Sequence, residues 1–240
     1  PNCFLRYVSG VDEFMRAARE EMGGGAEFVK VYAPSEPSEL LPEELEAVVR
    51  IAHQRGKKVA VHAHDPSAIS MCIDVGADTI EHGSRITQED IERLKKETSY
   101  LVPTLGILCE EITTPGTPIE QKVPMLRPLL EASAKCITNA YRAKLKLGFG
   151  TDTPIEDMEK HPGIEFKMRK EYCGMSNVDM LLQATKNSAF ICGLENVTGQ
   201  IKSGLAADLL LVDGNPDEDI SAMYKRPEMV FRQGELCCKA

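Results

Sequence analysis

The chain has 240 residues, 42% hydrophobic and 27% charged, so it can bury a sizeable core and falls among ordinary globular proteins rather than disordered or fibrous ones. A formal net charge of -9 with no basic cluster excludes nonspecific binding to nucleic acid or an anionic membrane, because a phosphate-binding surface needs an excess of Lys and Arg. No apolar run reaches the roughly 20 residues that a bilayer span requires.

The eight cysteines at 3, 72, 109, 136, 173, 192, 237 and 238 form no C-x-x-C pair. Several lie in apolar helical contexts (Cys72, Cys136, Cys192), so they are read as reduced and mainly structural. That usage favours the cytoplasm. The compartment of the parent protein stays open, because the chain lacks an initiator methionine and begins in mid-pattern.

In chain order, Val11 to Met22 has the i, i+3, i+4, i+7 spacing of an amphipathic helix, stopped by Gly23-Gly24-Gly25. Phe28-Val29-Lys30-Val31-Tyr32 follows as a strand, with Phe28, Lys30 and Tyr32 on one face and the valines on the other. An ammonium buried in mid-strand is costly, so Lys30 is expected to be paired, neutralised or chemically modified; otherwise it lies at an edge and reaches solvent. A helix from Pro42 to Arg55 carries His53, read as surface or packing.

Val59-Ala60-Val61-His62-Ala63-His64 is a valine-rich run that ends on polar side chains, the pattern of a buried parallel strand. Its period of two puts His62 and His64 on the same face, a metal-ligand geometry, although a lone buried histidine is more often a satisfied core residue than a ligand. A helix from Pro66 to Val75, a strand from Asp78 through His82-Gly83 and a polar helix from Gln88 to Glu97 continue the alternation. Repeated βαβ units imply a parallel sheet.

Tyr100 to Leu105 reads as the next strand, and residues 110–123, with Pro115, Gly116 and Pro118, read as a long loop suited to a lid. A helix from Met125 to Leu147 leads into Gly148-Phe149-Gly150-Thr151-Asp152-Thr153-Pro154, where small residues suit a crowded barrel interior. Asp152 then either joins the functional face or caps the following turn. His161 lies in the loop beyond and can reach a substrate, and Val178 to Cys192 is helical. After Gly199 short β runs with glycine turns begin, which places a domain boundary near 200.

Lys30, His62 with His64, His82 and Asp152 thus recur at successive strand ends. In a parallel barrel such ends converge on one rim, whereas independent core histidines would not recur at matching positions. The motifs Val-Lys-Val-Tyr, Val-His-Ala-His, Ile-Glu-His-Gly-Ser, Phe-Gly-Thr-Asp-Thr-Pro, Ala-Thr-Lys-Asn-Ser-Ala and Gly-Gln-Ile-Lys-Ser-Gly-Leu-Ala-Ala-Asp resemble the metal-dependent amidohydrolase superfamily, nearest its imidazolonepropionase-like and prolidase-like dipeptidases.

The resemblance implies an α/β fold, a (β/α)8 TIM barrel present here as about its last five strands over residues 1–199, with C-terminal strands of a small β-sandwich domain over 200–240. It implies that Lys30 is a carboxylated lysine bridging two divalent metals, usually Zn2+, and that His62 and His82 ligate the second of them. Asp152 is implied as ligand of the first metal and proton acceptor of the bridging hydroxide. Tyr32 is implied beside the scissile carbonyl, with His64 and His161 on the substrate side. The expected reaction is hydrolysis of an amide C–N bond in a dipeptide or N-acyl amino acid.

One departure stands out: the superfamily opens its barrel with a His-x-His strand, and the histidines here are only 53, 62, 64, 82 and 161. The chain is therefore expected to be the C-terminal portion of a longer enzyme, inactive without its missing N-terminal barrel segment, and a possible homo-oligomer. Two other readings remain: a Schiff-base lyase with Lys30 as nucleophile, and a catalytically silent module.

Overall fold

Alternating valines decide how the first half of the chain folds. A computed structural model describes residues 5–33, 39–109, 112 and 123–239, and they divide into two units, one ending at Tyr100 and one beginning at Leu101. The lid expected over 110–123 lies outside the described residues except for Ile112 and Val123.

In the first unit, β1 (Phe28–Tyr32), β2 (Lys58–Ala63) and β3 (Thr79–His82) are parallel. Tyr32 stands opposite His62, and Ala63 opposite His82. The first residue of β4 (Tyr100–Val102), Tyr100, donates its N–H to the Asp78 carbonyl. Between these strands run α1 (Val11–Gly23), α2 (Pro42–Gln54), α3 (Pro66–Asp74) and α4 (Gln88–Leu94).

Val29, Val31, Val59, Val61 and Ile80 are buried, as are Leu45, Val48, Ala52, Ile69 and Cys72 of α2 and α3. Each such aliphatic side chain contributes about 1.5–3 kcal/mol by leaving water. Burial pushes the Cys72 thiol up to about 12, so it stays a thiol. Glu44 ties α2 to the start of α1: one carboxylate oxygen accepts from the Leu41 N–H at 2.8 Å and the other from Gly10 at 2.7 Å.

The opposite face of β1 is open. Phe28, Lys30 and Tyr32 are all exposed, so the burial cost expected at position 30 does not arise in this chain. The alternation turns the valines, not the lysine, toward the buried side.

In the second unit, α5 (Val123–Arg142) ends earlier than the expected 147, because Lys144 takes a left-handed φ of 62° and Leu145 bonds back to Ala140. The chain then makes a single parallel bridge, Leu101 to Leu147. The strand expected to reach Leu105 stops at Val102: Pro103 has no N–H to give a ladder, and Gly106–Leu108 curls into a 3-10 turn. After α6 (Ile155–Lys160) and α7 (Ile164–Cys173), the helix expected over 178–192 is interrupted. It consists of α8 (Asn177–Leu182), a π-helical turn Gln183–Asn187 and α9 (Ser188–Ile191).

A three-stranded antiparallel sheet follows, of β5 (Leu209–Leu211), β6 (Met229–Arg232) and β7 (Glu235–Lys239) in that order. No helix of the described residues is long and apolar enough to cross a membrane.

Candidate metal centre

Three histidines meet at the C-terminal ends of β2 and β3. His62 is the fifth residue of β2, and His64 follows two residues later on the same face, as its period of two requires. Their ring centroids lie 4.6 Å apart, nearly edge to face at 83°.

His82 arrives by a different route. Its register partner is Ala63, so strict alternation would turn it to the helix side with Ile80 and Val61. Its φ of 72° breaks the alternation and brings the ring 4.4 Å from that of His62 and 4.7 Å from that of His64. A left-handed backbone at a non-glycine residue costs about 1–2 kcal/mol and marks sites where side-chain direction matters.

Backbone bonds hold both strand ends beyond the regular ladder. Gly83 donates to Ala63 at 3.1 Å and Arg85 to His64 at 3.2 Å. Arg85 Nη1 also pairs at 2.8 Å with Asp65, a carboxylate only 1% exposed, so the loops after β2 and β3 are cross-linked. Buried Ser84 places its hydroxyl 2.9 Å from His64 Nδ1. If that nitrogen is the donor, the Nε2 lone pair is left for a ligand. Ser84 has no role assigned from the sequence motif Ile-Glu-His-Gly-Ser, and its place directly after His-Gly is the signal that could have found it.

The electrostatics favour ligation. Burial, then the charges of His64 and Lys30, lowers His62 to about 4; burial, then the neighbouring histidines and Lys30, lowers His82 to about 3. Both imidazoles are therefore neutral at pH 7 and present lone pairs. The candidate ligand atoms of His62, His64 and His82 all lie within 4.8 Å of one another, close enough to hold a metal ion. An all-nitrogen set of this kind suits zinc or a similar transition metal better than calcium or magnesium, which prefer oxygen.

Tyr32 stacks on His62, with ring centroids 4.1 Å apart at 22°, and is 55% exposed. Lys30 precedes it on the same face, opposite Ala60. His53 is elsewhere, at the other end of the strands, with Nε2 2.8 Å from Asp78. The structure thus brings together Lys30, Tyr32, His62, His64 and His82.

Asp152 and His161 belong to the second unit. Asp152 is exposed, with φ 54°, just past Thr151, whose carbonyl accepts from Ile107 at 3.1 Å. Two residues on, Pro154 is the N-cap of α6. The crowding expected around the two glycines is present: a Cβ at Gly148 would lie 3.0 Å from Val102, and one at Gly150 would lie 3.1 Å from it. His161 closes α6, its N–H bonded to the Asp157 carbonyl at 2.8 Å.

Among curated proteins, ochratoxinase of Aspergillus niger is 28% identical over 241 residues, covering 94% of this chain and 48% of its own length. The chain therefore spans about half of that relative. Among solved structures, a prolidase complexed with N-methylphosphonate-L-proline is 28% identical at a TM-score of 0.87, with 98% of this chain and 60% of that one covered. A Xaa-Pro dipeptidase with bound methionine is 30% identical at a TM-score of 0.84, with 96% and 59% covered. The model of the amidohydrolase family matches residues 3–237, nearly the whole sequence, and with the same parallel scaffold in solved relatives it follows that the chain belongs to that family.

Proposed function

We propose that the chain is the C-terminal part of a metal-dependent hydrolase that cleaves the amide bond of a dipeptide or an N-acyl amino acid. The observation that carries this reading is the cluster of His62, His64 and His82, two of them held neutral, beside Lys30 on the open face of parallel strands. The names of the relatives, prolidase, Xaa-Pro dipeptidase and ochratoxinase, support the substrate class.

His62 and His82 would hold one divalent cation, zinc by ligand chemistry, and His64 would serve as a further ligand or a contact to substrate. Lys30, as the neutral amine, would add to CO2 and lose one proton, so that an N–C bond forms and the side chain becomes an anionic carbamate able to serve as an oxygen ligand. When bound, the metals supply an acidified water and polarise the scissile carbonyl. Asp152 would act as the proton shuttle, its carboxylate accepting a proton from the attacking water and returning it to the leaving amine. Tyr32, fixed by stacking on His62, directs its hydroxyl toward the carbonyl, and His161 lines the substrate side.

In this reading residues 1–199 are the last five strands or so of an eight-stranded barrel and 200–240 belong to a small β-sandwich. The N-terminal segment of the longer protein completes the first metal site.

The test is elemental analysis of the full-length protein together with a screen of Xaa-Pro dipeptides and N-acyl amino acids. The expected result is about two zinc ions per chain, with His82→Ala losing one of them and the hydrolysis together. Turnover that survives metal removal, or borohydride trapping of substrate on Lys30, would overturn the reading.

A further inference from the structure

The second unit contains a buried ionic network that the chemistry above leaves without a task. Arg169 is 0% exposed and Glu165 2%. Arg169 donates to Glu165 Oε1 at 2.6 Å, to Gln183 Oε1 at 2.5 Å and to the carbonyls of Gly148 at 2.9 Å and Pro103 at 2.7 Å. Its guanidinium also lies 4.4 Å from the ring centre of Phe149. Glu165 Oε2 accepts from Gly106 N–H at 2.6 Å. Replacing such a pair with apolar side chains is often neutral or stabilising, so net stability does not explain its presence.

What the network holds is more informative. Leu147 carbonyl accepts from Asn187 Nδ2 at 3.1 Å, Gly148 carbonyl from Arg169, and Phe149 N–H donates to Ser188 Oγ at 3.2 Å. Ser188 in turn donates to the Gln183 carbonyl at 2.7 Å. Thr151 carbonyl accepts from Ile107, and the Thr151 and Thr153 hydroxyls share a short bond. This segment has one strand bridge, at Leu147, so side chains do the work that a ladder does elsewhere. The π-helical turn Gln183–Asn187 is part of the device, since it lets Gln183 reach Arg169 while Asn187 and the following Ser188 reach Leu147 and Phe149.

We propose that Glu165, Arg169, Gln183, Asn187 and Ser188 are positioning residues that hold Leu147 to Thr151 in one conformation, and so present the carboxylate of Asp152 in one orientation; this rests on the reading of Asp152 as the proton-transfer group. The backbone from Leu147 to Thr151 is pinned at four residues, and Asp152 is the next residue along.

The test uses the full-length protein with Asn187→Ala, Ser188→Ala, Ser188→Thr and Asp152→Asn. Because a misplacement of about an ångström can cost ~100-fold in rate, kcat of the two alanine variants is expected to fall about 10- to 100-fold with KM within about twofold, and Ser188→Thr to recover most of it. In metal-free protein, hydrogen exchange in residues 147–153 is expected to quicken in the alanine variants and not in Ser188→Thr. Wild-type kcat or unchanged exchange in folded Asn187→Ala and Ser188→Ala, with Asp152→Asn inactive, overturns the positioning role alone. Full activity in Asp152→Asn overturns the assignment of Asp152, and the positioning role with it.

Discussion

The ends of β3 and of the Leu147–Asp152 segment pose the same problem and solve it differently. Each ends on a non-glycine residue with a left-handed backbone, His82 at φ 72° and Asp152 at φ 54°. At His82 the parallel ladder runs on past the strand, with Gly83 bonded to Ala63 and Arg85 to His64, so backbone holds backbone. Before Asp152 one bridge remains among the described residues, and a buried arginine, an asparagine and a serine replace the ladder. A strained residue needs over-determined surroundings, and these surroundings are built from whichever groups the local topology leaves within reach.

The sharpest way to break that comparison is Asp152→Asn, which keeps shape and removes the carboxylate proposed as the proton acceptor. Its kcat should drop by about 10²–10⁴-fold with the fold intact, as read by circular dichroism and steady-state kinetics. Wild-type turnover would move the chemistry elsewhere. Next is Arg169→Met: it leaves Glu165 buried and unpaired, which should cost about 3–5 kcal/mol in a denaturant titration. A loss under 1 kcal/mol, on the order expected of a surface pair, would mean that the network is dispensable.

On the other side of the comparison, Ser84→Ala removes the hydroxyl beside His64 Nδ1. Zinc affinity measured by competition with a chromophoric chelator should fall about 10- to 100-fold, with little change in melting temperature. Affinity equal to wild type would take Ser84 out of the centre.

The mildest effect is on pH. His62 and His82 are pushed down to about 4 and about 3 from an ordinary 6.5, so in the metal-free protein the unfolded chain takes up protons first as pH falls. Their contribution to stability is complete above pH 6.5, is lost progressively as pH falls from 6.5 to about 4 for His62 and to about 3 for His82, and changes little below that. Urea midpoints at pH 7.5 and 5 should therefore differ, and less so in His82→Gln; equal slopes in the two proteins would contradict the burial of that ring.

Much of this was legible in the chain. The period of two in Val-Lys-Val-Tyr and Val-Ala-Val-His-Ala-His decides which side chains line which face, because a strand gives its side chains two directions only. The βαβ alternation followed for the same reason, and the family resemblance from motifs spread along the whole sequence. The exposure of Lys30 was not legible, since what covers the face of a strand depends on which other elements are present.

The amino-acid order by itself determined the parallel strands, the shared face of His62 and His64, and the small residues at 148 and 150. Only the tertiary structure decided that His82 turns against its own alternation to meet them, that Ser84 backs His64, and that Arg169 carries the backbone before Asp152. Periodicity is local and can be read residue by residue, whereas a left-handed turn or a buried arginine is tolerable only where partners distant in sequence satisfy it.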